Sequence, residues 1–293
     1  VIAITAKDKL RKALANNLRG VAFSAEAAES CTYAEHGISD VTKMVGRAAP
    51  SQYSADLSLF VLVAGVQLLK ASRPDLIYLS LSDYVQHKHA PNSPEALAFM
   101  ADVDARVGQL LAGGAIVGIV ADHGMSDMAN NNGTPKVIYV GEILDEAFGA
   151  RSTRVICPIT DPFVRHHGAL GGFVRVYVGR PGPSPEDVAA LLRTLPSVEL
   201  AMLREEACRA FDLPADREGD VAVFARKGVA LGARARDHDL TQLAGERLRS
   251  HGGLAERNVP FILSHPLTPE QRMQDAVLHN YDIFDFALNR VEV

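Results

Sequence analysis

The stretch that most constrains this chain is Ala115-Ile116-Val117-Gly118-Ile119-Val120-Ala121-Asp122-His123-Gly124, an apolar run that stops on an acid and a histidine. Entered through Gly113-Gly114 and rich in Ile and Val, it reads as a strand buried on both faces of a parallel sheet. Asp122 and His123 then fall at its carboxyl end, where open α/β sheets place their ligands. Neighbouring side chains on an extended segment point to opposite sides, so both can serve one metal only where the backbone already turns. Gly124 allows that turn without a Cβ in the way. Taken alone, Asp-His-Gly is equally well a polar turn after a core strand.

Two further features add to it. Upstream, Leu76-Ile77-Tyr78-Leu79-Ser80-Leu81-Ser82-Asp83 is again an apolar strand ending on an acid, and His87 follows four residues later. An Asp and a His at that spacing share one face of a helical turn. Downstream, Ser250-His251-Gly252-Gly253 places a histidine before two glycines, by itself an ordinary surface-loop pattern. Together the three sites offer acids and imidazoles at strand ends, the mixed oxygen and nitrogen ligation that suits zinc or manganese.

In this order, Asp-x-x-x-His, Asp-His-Gly-Met and a distant His-Gly-Gly, the motifs resemble the metal-binding pattern of the alkaline phosphatase superfamily. Within it the chain is similar to the phosphonoacetate hydrolases. That likeness rests on Thr-Ala-Lys-Asp-Lys-Leu at 5–10, on Asp-Tyr-Val-Gln-His-Lys-His-Ala-Pro at 83–91 and on Ser-His-Gly-Gly at 250–253, and it runs along nearly the whole chain. It implies an α/β fold: an alkaline phosphatase-like core whose mostly parallel central sheet is flanked by helices, with an inserted α+β cap subdomain. It also implies two zinc ions, with manganese as second choice. Asp83, His87 and His251 would hold one, Asp122 and His123 the other. Lys7 and Lys9, just past the first strand, would hold the substrate's carboxylate; without the likeness they read as a solvated first helical turn, though positive charge there opposes the helix dipole. The implied reaction is hydrolysis of the C–P bond of phosphonoacetate to acetate and phosphate through a phosphorylated threonine.

One departure bears on activity. The family carries an additional N-terminal portion with a first metal-binding Asp and the nucleophilic Thr, whereas this chain opens on Val1 inside a strand. Thr5 belongs to the lysine segment and is not that nucleophile. No catalytic residue is therefore assigned within the chain, which reads as the carboxyl-terminal part of such an enzyme. Two alternatives stay open: another phosphodiesterase, nucleotide pyrophosphatase or phosphomutase of the superfamily, and a fragment unable to catalyse anything.

The 293 residues and 47% hydrophobic content support a sizeable core, and the net charge of −5 carries no nucleic-acid signature. A small-molecule phosphonate is the expected partner, with a homodimer left open. The apolar segment 57–69 is too short to span a membrane. Cys31, Cys157 and Cys208, far apart and odd in number, fit simple burial in a reducing compartment, hence the cytoplasm, with a signal peptide ahead of Val1 left open.

The expected organisation is a metal-binding core over 1–153, the cap over 154–227 and a core return over 228–293. It opens with a parallel βαβ unit: strand 1–4, helix 7–18 and strand 21–24. Segment 37–52 reads as irregular and mobile. An apolar helix over 54–71 ends at Arg73-Pro74. Ser93-Pro94-Glu95 and Ser184-Pro185-Glu186 open helices by hydroxyl N-caps followed by proline. Segment 234–249 reads as a solvated loop, and 281–288 as the closing helix. His89 is either a pocket or a loop histidine. His166-His167 is a weaker third ligand candidate, because adjacent side chains diverge.

Overall fold

The computed structural model describes residues 1–159, 167–269 and 277–292. The chain divides into two compact units, Val1–Val120 with Pro260–Val293, and Ala121–Val259.

The first unit is built on the strand Ile2–Thr5, all four residues of which are buried. It is the middle strand of a parallel three-stranded sheet, flanked by Val21–Ser24 and Ile77–Ser80, with Thr5 level with Ser24 and Ser80. The expected βαβ unit is therefore formed. Its helix is shorter than the pattern suggests, Asp8–Leu14, because Asn17 at φ 60° turns the chain where a right-handed helix would continue. Helix Asp56–Ser72 is apolar almost all round and buries Leu57, Phe60, Val61 and Ala64 completely. It lies tight on the sheet at Gly65, where a Cβ would meet Leu79 Cδ1 at 2.8 Å. The helix ends through Arg73 in the left-handed region, ahead of Pro74. In helix Pro94–Ala112 the Ser93 hydroxyl accepts from Ala96 N–H at 3.3 Å, the cap expected from its sequence.

Three segments of this unit differ from the sequence reading. The run beginning at Ala115 gives a strand of only three residues, Gly118–Val120, paired antiparallel with Phe261–Leu263; Gly118 is exposed and Ile119 and Val120 are half-buried. Its apolar side chains serve packing instead: Ala115 and Val117 join Val66, Leu69 and Leu110, and Gly118 lets Ile283 approach to within 2.7 Å of where a Cβ would stand. Segment 37–52 contains the helix Val41–Val45 with Val41 fully buried, framed by left-handed glycines at 37 and 46. The closing helix keeps one ordinary turn, Ile283–Asp285, and then widens over Phe286–Arg290.

The second unit holds a four-stranded antiparallel sheet in the order Thr153–Ile156, Phe173–Val178, Val221–Ala225, Val198–Leu203. Alternate residues face opposite ways. Val174, Val176, Val221 and Val223 pack with Val188 and Leu192 of helix Pro185–Arg193, while Phe173, Ala222 and Phe224 pack with Ala207 and Phe211 of helix Arg204–Phe211. Burying each such aliphatic side chain contributes about 1.5–3 kcal/mol.

A parallel pair, Val137–Tyr139 with Ala230–Gly232, feeds helix Val140–Phe148, and an antiparallel pair joins Ser126–Asp127 to Arg249–Ser250. Segment 234–249 is less solvated than expected: Leu243 and Leu248 are buried with Met128 and Leu170. His238 anchors it, its Nδ1 donating to Gly168 O at 2.7 Å while Nε2 accepts from Ala233 N–H at 2.9 Å.

Candidate metal centre

In the first unit the parallel register does the assembling. Ile2–Thr5 and Ile77–Ser80 end level, and Ala6 N–H donates to Ser80 O at 2.8 Å, so whatever follows the two strands emerges side by side. Lys7 and Asp83 are those residues, with Lys7 Nζ 3.7 Å from Asp83 Oδ1. Asp83 stands immediately before the short helix Tyr84–Lys88, and His87, one turn on, brings Nε2 to 3.0 Å from Asp83 Oδ2. His87 is 5% exposed. The four-residue spacing thus produces the Asp-His pair expected from it.

Lys7 occupies the N-cap of helix Asp8–Leu14 in extended conformation, and the Thr5 hydroxyl, fully buried, donates to Lys7 O at 2.8 Å. Thr5 therefore shapes the strand end. Lys9 is exposed on the first turn of that helix.

Sequence reasoning missed the network beneath Lys7. Asp8 N–H donates to Glu26 Oε2 at 2.8 Å, the Asp8 carboxylate accepts from Ser24 Oγ at 3.0 Å and from Arg11 Nε at 2.9 Å, and buried Arg11 reaches Glu35 at 3.0 Å. Burial acts to raise the Asp8 pKa, but hydrogen bonds from Arg11, Lys12 and Ser24 outweigh it and hold the carboxyl at about 2. An acid three residues before an arginine on a predicted helix was the one available signal.

In the second unit the backbone bends at Asp122, the turn that neighbouring ligands require. Asp122 Oδ1 accepts from His123 N–H at 3.1 Å and lies 3.6 Å from His123 Nε2; the Asp122 side chain is largely exposed. His123 Nδ1 donates to Gly124 O at 2.9 Å, so Nε2 is the ring nitrogen whose lone pair could be offered to a metal. The strand pair Ser126–Asp127 and Arg249–Ser250 returns the chain alongside, and the His123 and His251 rings stack with centroids 3.5 Å apart and planes 6° from parallel. Each unit thus presents carboxylate oxygen and imidazole nitrogen, or imidazole alone beside it, donors that zinc accepts.

His89 closes helix Tyr84–Lys88 and faces Glu95 at 3.8 Å. His166 lies outside the described residues; His167 is buried. The three cysteines are free and half-buried, less enclosed than simple burial implied, and burial pushes the Cys31 and Cys157 thiols up to about 11. Neither is a poised nucleophile. No described helix is long and apolar enough to cross a membrane.

Residues 28–253 match the family described as type I phosphodiesterase / nucleotide pyrophosphatase. The chain belongs to that family. Among solved structures, phosphonoacetate hydrolase from Sinorhizobium meliloti 1021 in complex with phosphonoformate is 44% identical, with a TM-score of 0.89 over 98% of this chain and 70% of that one. The same enzyme in complex with phosphonoacetate gives 44% identity and a TM-score of 0.88 over the same shares. This member of the type I phosphodiesterase / nucleotide pyrophosphatase family is a hydrolase with the α/β fold of the alkaline phosphatase superfamily.

Proposed function

We propose that this protein hydrolyses the C–P bond of phosphonoacetate to acetate and phosphate. The observation that carries this reading is Lys7, a cation 3.7 Å from the carboxylate of Asp83 at the carboxyl edge of the parallel sheet. A phosphonoacetate site needs a positive group for the substrate's own carboxylate beside the phosphonyl-binding metals, and a phosphodiester site does not. The 44% identity to an enzyme crystallised with phosphonoacetate supports the same assignment.

On the family likeness we assign Asp83, His87 and His251 to one zinc, and Asp122 and His123 to a second, with manganese as second choice. When bound, such a pair supplies nucleophile activation and neutralises charge on the phosphonyl oxygens. His123, fixed through Gly124 O on its Nδ1 side, offers a pre-oriented imidazole.

Lys7 and Lys9 bind the carboxylate of the substrate. As a threonine oxygen bonds to phosphorus and the C–P bond breaks, the electron pair left on carbon spreads into that carboxylate, and the two ammonium groups stabilise it. The carbon then takes a proton from solvent, giving acetate, and water cleaves the phosphothreonine to release phosphate. That threonine is implied by the family likeness and is assigned to no residue of this sequence. Residues 154–227 are read as a cap subdomain, and the free cysteines favour the cytoplasm.

A second reading, phosphodiester hydrolysis, is favoured by the family match itself. Phosphate release from phosphonoacetate and nitrophenol release from bis(p-nitrophenyl) phosphate, both with zinc added and on the protein expressed together with its native upstream coding sequence, separate the two. Turnover of the phosphonate with little diester cleavage is expected, and the reverse preference overturns the carboxylate role of Lys7 and Lys9.

A further inference from the structure

Glu256 is an acid only 3% exposed, in the single turn Leu254–Glu256, and it is none of the proposed ligands. A buried carboxylate costs several kcal/mol unless its oxygens are satisfied. Both are. Oε2 accepts from Gly253 N–H at 2.9 Å, and Oε1 accepts a short hydrogen bond from the buried Ser126 hydroxyl. Its main chain is engaged too, Glu256 O accepting from Gly124 N–H at 2.6 Å.

Those partners share a location. Gly124 follows His123, Ser126 opens the strand just beyond it, and Gly253 closes the turn that begins at His251. One residue therefore ties the His123 loop to the His251 loop by three hydrogen bonds. The His251 turn is held on its other side by Gly172, whose N–H donates to His251 O at 2.7 Å, and a Cβ at Gly172 would stand 2.5 Å from Gly253 N. No side chain can yield there, since the obstructing atom is backbone. The two imidazoles that these contacts flank stack with their centroids 3.5 Å apart.

We propose that Glu256 is a positioning residue that sets the separation and orientation of His123 and His251, and so the affinity for the divalent cations they bind. The inference rests on reading those histidines as ligands. Orienting groups behind metal ligands typically contribute about 10–100-fold in affinity.

The test is equilibrium zinc binding against a chromophoric chelator, with the absorption spectrum of the cobalt(II)-loaded protein as a second readout, on wild type, Glu256→Ala and Glu256→Gln, each checked for folding by circular dichroism. Glu256→Gln retains the length and hydrogen-bonding capacity of the link, since its amide can accept from Gly253 and donate to the Ser126 oxygen. Glu256→Ala removes the two side-chain bonds of the link and keeps only the main-chain one to Gly124. The expected result is a loss of about 10–100-fold in zinc affinity and an altered cobalt spectrum in Glu256→Ala, with Glu256→Gln within a few-fold of wild type. A folded Glu256→Ala with wild-type affinity overturns the proposal, as does a Glu256→Gln as weak as the alanine variant. Should Glu256→Ala not fold, Glu256→Asp replaces it: one methylene too short to reach both loops, it should show the same loss, and wild-type affinity in it overturns the proposal. Failure of the wild type to bind zinc sinks the ligand reading itself, which distinguishes the two.

Discussion

His123 and His251 lie ring against ring, centroids 3.5 Å apart and planes 6° from parallel, although they come from the two ends of the Ala121–Val259 segment. The short antiparallel pair Ser126–Asp127 and Arg249–Ser250 brings them together, with the register Ser126↔Ser250. Each ring is thereby part of the wall that orients the other.

Removing one ring should therefore disturb the other. His251→Ala and His123→Ala are each expected to lower zinc content, measured by plasma mass spectrometry after dialysis, by more than the one ion the residue is assigned to. Loss of a single equivalent with the other unchanged in affinity would show that the stack is incidental to binding.

The Asp8 cluster makes a prediction about acid stability. The folded carboxyl titrates near 2 against an ordinary 3.8, with Arg11 and Lys12 paired to it. A depressed folded pKa contributes stability that is present above the unfolded value and is lost as pH falls through the folded one, here between about 4 and about 2. Less than two units of depression, discounted for partial solvent screening, is worth roughly 1–2 kcal/mol. Asp8→Asn is expected to lose about that much at pH 7 in urea titrations and to converge with wild type near pH 2. Equal stability of the two at neutral pH would remove the cluster from the list of supports.

What the sequence made legible was local. Asp83 and His87 pair because residues four apart on one turn must meet, and Ser93 and Ser184 cap their helices because hydroxyl, proline and acid stand in consecutive positions. The strand expected from the run at Ala115 forms only over Gly118–Val120, antiparallel and partly exposed, for a non-local reason: its partner is Phe261–Leu263, and hydropathy alone does not report the direction of pairing or the coverage of each face. Glu256 and the Gly171-Gly172 pair were invisible for the same reason, since no periodicity links them to Gly253 and His251.

Gly65 tests the packing of the first unit. A methyl there would stand 2.8 and 2.9 Å from the two Leu79 methyls, so either the leucine leaves its rotamer or helix Asp56–Ser72 moves off the sheet. Overpacking of this kind costs about 1–3 kcal/mol. Gly65→Ala should lower the thermal midpoint by several degrees, and Leu79→Val in the same background should recover part of it by withdrawing the obstructing carbon. A midpoint that falls further in the double variant would argue against the contact as the cause.

Lys7 carries the functional reading, so its replacement is the most direct test of it. In Lys7→Gln the side chain keeps its approximate length but no longer offers an ammonium to the substrate's carboxylate or to Asp83 Oδ1. On the proposed reading, charge that develops in the transition state loses one of its two stabilising cations, and removing one such group costs about 10²–10³-fold in turnover. Made in the protein expressed with its native upstream coding sequence, the variant is expected to show a drop of that order in kcat/KM for phosphonoacetate, carried mainly in kcat, with zinc affinity kept within a few-fold of wild type. Cleavage of an activated phosphodiester, which has no carboxylate to hold, should change far less. If both substrates lose activity equally, Lys7 acts by holding Asp83 in place; if only the phosphonate suffers, the ammonium addresses the substrate.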